Sequence, residues 1–112
     1  MNLKESIGLR VKTARSAKGL SQVALAEKIG RTTETISNIE RGVTAPTIET
    51  LERLSKALSL PMVEFFEGYD SANTNKKRFA LELEIRDLIQ TLSVSDLKIA
   101  KKQILALADR DD

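Results

Sequence analysis

The 112-residue chain contains no cysteine and no histidine. Without cysteine there is neither a disulfide framework nor thiolate chemistry, which fits a reducing compartment, and a cytoplasmic protein is expected. Without histidine the commonest metal ligand and general base is missing. No apolar run approaches the roughly 20 residues needed to cross a bilayer, so no membrane partner is expected. The N-terminus, MNLKESIGLR, has neither the apolar core nor the small-residue cleavage site of a signal peptide. There is no glycine-rich phosphate loop, and the carboxylates are scattered along charged helix faces, so neither an enzyme nor a cofactor is expected. An excess of one charge is lacking too. The 18 basic and 16 acidic residues leave +2, and the surplus lies in residues 1–68, with ten basic against eight acidic. Such a total says little about a nucleic-acid partner, because local clustering decides the electrostatic attraction.

What is present is helix. Apolar residues make up 41% and charged residues 30% of the chain, the balance of a globular protein. From Ser6 to Lys18, Ile7, Val11 and Ala14 recur at helical spacing, and Gly19 supplies a stop. Ser21 is a good N-cap for a second helix, Gln22 to Ile29, which Gly30 closes. Thr32 can cap a third helix that ends at Gly42. Pro46 or Thr47 opens a fourth, with Ile48, Leu51, Leu54 and Leu58 on one stripe. Pro61 starts a short fifth, PMVEFFEG, ending at Gly68, whose Phe65 and Phe66 suit a core. No strand signal and no internal repeat is found.

The third helix, TTETISNIERG, is written in an unusual alphabet. Ile36 and Ile39 share one face, while Thr33, Glu34, Ser37 and Asn38 face away from it. Thr is a mediocre helix former, and a merely solubilising face would favour Lys and Glu. Short polar side chains instead suit a surface that must approach base edges closely, since they can donate to or accept from them. The preceding helix supports this reading. Ala26 is small where the two helices would cross, Gly30 sits in the turn, and Leu25, Ile29, Ile36 and Ile39 supply a buried side. Two helices at a steep angle joined by a brief turn make a helix-turn-helix.

The stretch LSQVALAEKIGRTTETISNIERGVTAPTIETLERLSKAL resembles the helix-turn-helix of the phage repressor and Cro group, widely called the XRE family. The resemblance implies an all-α, five-helix lambda-repressor-like domain whose third helix enters the DNA major groove. It also implies a transcriptional regulator, usually a repressor, that binds a partly palindromic operator as a homodimer. Gln22 matches a position that often contacts phosphate and braces the recognition helix. Thr33, Glu34 and Asn38 match positions that commonly face bases, with Thr32 and Ser37 nearer the backbone. Arg31 and Arg41, flanking the helix, complete the expected DNA-binding set. Arg15 and Glu40 match a pair that often forms an ion bridge beneath the recognition helix. Glu34 departs from the usual pattern in being acidic in a helix that approaches phosphates, and either accepts from a cytosine amino group or costs affinity. The loop Gly42-Val43-Thr44-Ala45 departs in lacking Lys or Arg.

Residues 69–75 lack apolar periodicity and read as a linker between the DNA-binding domain, 1–68, and a C-terminal segment, 76–112. There Leu81, Ile85, Leu88 and Leu92 line one helical face, Ser93 and Asp96 form a cap, and Leu97, Ala100, Ile104 and Leu107 line a second helix. These two helices are expected to form a hairpin. A lone hairpin is too small to bury both stripes, so pairing with a second copy in a four-helix arrangement is expected to make the dimer. The competing readings fold the hairpin back onto its own N-terminal domain, or give it to a toxin or other regulatory protein, as in antitoxins that share this fold. Lys76, Lys77 and Arg78 read as a solvated helix start.

Overall fold

A computed structural model of the chain describes residues 1–69 and 75–110. Six α-helices follow one another: α1 Leu3–Ala17, α2 Gln22–Ile29, α3 Thr33–Glu40, α4 Ile48–Leu58, α5 Lys76–Gln90 and α6 Val94–Ala108. Among the described residues there is no strand, and no helix is long and apolar enough to cross a membrane. The fold is all-α among the described residues. Most of the proposed linker, residues 70–74, lies outside the described residues.

Caps fix the helix starts. Ser21, Thr32, Thr47 and Ser93 each accept the backbone N–H three residues on, which satisfies one of the orphan donors of the first turn. α1 begins three residues earlier than its apolar spacing indicates, because Asn2 makes a capping box. Its side chain accepts from Glu5 N–H (2.9 Å) while the Glu5 carboxylate accepts from Asn2 N–H (3.2 Å). The segment after Pro61 forms only a 3-10 turn, Met62–Phe65, rather than a helix running to Gly68. Phe65 is buried there, but Phe66 is 44% exposed, a correction to its expected place in the core. Ile48 is likewise 74% exposed. The buried arc of α4 runs over Thr50, Leu54, Leu58 and Leu51, and at about 100° per residue Ile48 falls beyond its edge.

The core joins Ile7, Val11 and Ala14 of α1 to Leu25, Ala26 and Ile29 of α2, Ile36 and Ile39 of α3, and Leu51, Leu54 and Leu58 of α4. α1 crosses the end of α3 so closely that a Cβ on Gly8 would stand 2.3 Å from the Ile39 carbonyl oxygen and 2.8 Å from that of Glu40. This backbone-on-backbone contact anchors the C-terminal end of α3.

α5 folds back onto α1, burying Phe79 and Leu83. On a helical projection these lie roughly opposite the stripe Leu81, Ile85, Leu88 and Leu92. Asp87, on the docked side, accepts from Arg10 Nη2 at 2.7 Å, and Glu64 accepts from the same nitrogen at 3.2 Å. Arg10 is 1% exposed, and its Nε and Nη1 have no hydrogen-bond partner among the described residues. The guanidinium is thus desolvated and incompletely paired, an arrangement that offsets much of the attraction it gains. At the other end of α5, Lys76 pairs with Glu5 and holds that carboxyl below the ordinary carboxylate range, helped by Asn2 N–H. Asp87→Asn should destabilise the chain by about 1.5–3 kcal/mol, the usual loss for a hydrogen bond to a charged group. Thermal melts measure it, and hydrogen exchange should localise the extra opening to α5.

α6 has no buried residue. Leu97 and Ala100 are half-buried, and the rest of the expected stripes of α5 and α6 is exposed within the chain.

Candidate nucleic-acid interface

α2 and α3 are joined by Gly30, whose φ of +67° is a left-handed conformation that suits glycine. A Cβ there would also come within 3.1 Å of Arg53 Nη1. Arg53 donates from that nitrogen to the carbonyl of Ile29 (2.9 Å), closing the C-terminal end of α2, and from Nη2 to Glu49 (3.0 Å). Arg31 donates to the Gly30 carbonyl (3.2 Å) and stands 4.0 Å from the same Glu49 carboxylate. Sequence reading missed Arg53. The signal available for it was the four-residue spacing from Glu49 on one helix face.

On the inner side of α3, Ile36 and Ile39 are buried. Beside them Glu40 receives two bonds from Arg15, from Nε at 2.6 Å and from Nη2 at 3.0 Å, and a third from Gln22 Nε2 at 3.0 Å. Arg15 Nη1 donates to the Leu20 carbonyl (2.7 Å). The Arg15 guanidinium is held above its ordinary value, chiefly by the hydrogen bonds to Glu40 and against its own desolvation. A single carboxylate therefore ties together α1, the start of α2 and the end of α3. Gln22 is a member of this cluster.

On the outer side the placement differs residue by residue. Thr33 and Glu34 are exposed and Ser37 is half-buried, and among the described residues their side chains make no hydrogen bond or ion pair. Thr32 is occupied, since its hydroxyl caps Thr35 N–H (3.1 Å) and meets the Thr35 hydroxyl at 2.9 Å. Asn38 accepts from Arg41 Nη2 at 2.6 Å. Arg41 is exposed at the end of α3, and Gly42 beyond it has a φ of +72° with its α-carbon face turned against Glu5. The result is a short helix rooted by aliphatic contacts and one carboxylate, presenting free donors and acceptors outward. Those are the requirements for a helix that reads the major groove.

A helix-turn-helix family model matches residues 11–65, from mid-α1 through the 3-10 turn. The chain belongs to the XRE-type helix-turn-helix family. An uncharacterized HTH-type transcriptional regulator of Rickettsia prowazekii is 27% identical over 111 residues, spanning 94% of this chain and 85% of that protein. The restriction-modification controller protein C.AhdI from Aeromonas hydrophila is 32% identical, covering 56% of this chain and 96% of its own, with a TM-score of 0.54. A chain of the SinR protein/SinI protein complex is 25% identical over 93% of this chain and 99% of that one, again at a TM-score of 0.54. This XRE-type chain is accordingly a DNA-binding transcriptional regulator.

Proposed function

We propose that this regulator is a repressor that binds a partly palindromic operator as a homodimer, α3 reading bases and the outer faces of α5 and α6 joining the two copies. The observation that carries the reading is the unpartnered outer face of α3, Thr33, Glu34 and Ser37, with Asn38 beside them. Arg31 flanks it as a phosphate contact, and Gln22 braces it through Glu40. Thr33→Ala and Asn38→Ala should each cost about 1–3 kcal/mol of discrimination between operator and scrambled duplex. Mobility-shift titrations measure this, and unchanged operator affinity in the double variant defeats the assignment.

Dimerisation is supported by what α5 leaves uncovered. Once Phe79 and Leu83 are docked, Leu81, Ile85, Leu88 and Leu92 remain exposed, as do Ile104 and Leu107 of α6, with Leu97 half-buried. One helix-turn-helix reads only a half-site, so affinity normally needs two copies about 34 Å apart along the duplex. Deleting the whole C-terminal segment would also strip Phe79, Leu83 and Asp87 from α1, so a gentler change is required. Leu88→Glu with Leu107→Glu should give a folded monomer by light scattering and bind operator at least about tenfold more weakly. A variant that stays dimeric moves the interface elsewhere.

A second reading, in which the same surface holds a toxin or another regulatory protein while the chain represses its own operon, is favoured by the solved SinR protein/SinI protein complex. Under that reading the purified chain is monomeric at micromolar concentration. A cytoplasmic location suits either reading.

A further inference from the structure

Two side chains of the proposed reading surface bind each other. Arg41 Nη2 lies 2.6 Å from Asn38 Oδ1, one turn apart at the end of α3. A guanidinium has only donors, so the amide must turn its oxygen toward Arg41 and its NH2 away. Resting on the proposed reading of DNA by α3, we infer that Arg41 is a specificity-positioning residue. It holds Asn38 as a hydrogen-bond donor, so that α3 selects guanine over adenine at the base pair Asn38 faces.

The chemistry follows from the base edges. An unrestrained Asn pairs with adenine in a bidentate manner, accepting from N6 and donating to N7, and that pairing uses amide oxygen and nitrogen together. With Oδ1 already engaged by a short charge-assisted bond, the amide offers its donors first. Guanine meets them with two acceptors, N7 and O6, whereas adenine sets the N6 amino group against them. None of the neighbouring side chains compensates for the turned amide. Thr33 and Ser37 carry hydroxyls that serve either way, and the Glu34 carboxylate only accepts, which directs it to a cytosine or adenine amino group. Glu34 and Asn38 lie four residues apart on one face, about 6 Å between Cβ atoms, so they address neighbouring base pairs. The half-site is therefore expected to carry an amino-bearing edge toward the start of α3 and a guanine toward its end.

The test is selection of binding sites from a randomised duplex pool by the 112-residue chain, by Arg41→Ala and by Arg41→Lys, each verified as folded by its thermal melt. The original protein should enrich a guanine at one position of each half-site. In Arg41→Ala that position should shift toward adenine, the guanine-to-adenine affinity ratio falling about tenfold while the other positions keep their bases. Arg41→Lys should retain part of the guanine preference, since an ammonium group also donates to Oδ1. On an Asn38→Ala background, Arg41→Ala should leave the base preference unchanged. An identical motif for the original protein and Arg41→Ala, with uniformly weaker binding, overturns the inference and makes Arg41 a phosphate contact. Adenine enriched at that position by the original protein overturns it as well. No enriched motif at all from the original protein defeats the underlying reading of α3, and is distinguishable from both.

Discussion

Glu40→Ala should lower stability by about 3–5 kcal/mol, the range for removing one partner of a buried ion pair. The carboxylate side chain is 3% exposed and its partner Arg15 14%, so the guanidinium left behind regains little water. Gln22 loses its acceptor in the same step, and the end of α3 loses its tie to α1 and α2. Folding free energies of small domains are about 5–15 kcal/mol, so the loss is a large share of the total. Arg15→Ala should cost less, because Glu40 keeps Gln22. A double-mutant cycle isolates the pair, with a coupling of about 1–3 kcal/mol expected. Denaturant melts of the four proteins provide it. Additive losses would mean that the pair contributes nothing, whatever its geometry.

Gly8→Ala sets two effects of opposite sign against each other. Within a helix, alanine is better than glycine by about 1 kcal/mol, so propensity alone forecasts a stabilised protein. The new methyl, however, would begin 2.3 Å from one backbone oxygen and 2.8 Å from another, at the α1–α3 crossing. Backbone cannot swing aside as a flexible side chain can, and overpacking of this kind costs about 1–3 kcal/mol or more. We expect the second effect to win, with a net loss of about 2 kcal/mol and a fall in operator affinity as α3 is pushed from its seat. A Tm raised by the substitution would show that α1 and α3 are not held at this separation.

These two residues also mark where sequence reading ends. Local signals were legible: Ser21 and Thr32 announced two helix starts, Pro46 or Thr47 a third that Thr47 caps, Gly30 and Gly42 the turns around α3, and the aliphatic spacing of α2 and α3 their buried side. Gly8 was not legible, because a glycine inside an amphipathic pattern looks only like a weak helix residue until the partner backbone is in place. Nothing local marked Arg10, because it is buried between two acids that lie 54 and 77 positions away in the chain. For α5 the four-three-four stripe was real, but the helix has two apolar faces, and periodicity cannot say which one docks on α1. Phe79 and Leu83 docked, so the stripe that stood out in the sequence is the one left outside. The pairing of Arg41 with Asn38 was equally invisible, since both had been read as facing DNA independently.

The central claim is that the outer face of α3 meets base edges. The measurement that tests it most directly is a titration of the 15N-labelled chain with its selected operator duplex, followed by amide chemical shifts. The largest perturbations should fall on residues 31–42 and on Gln22, vanish for a scrambled duplex at moderate salt, and leave α6 unmoved beyond any effect of dimerisation. Perturbations confined to α5 and α6, or equal for operator and scrambled duplex, would contradict it.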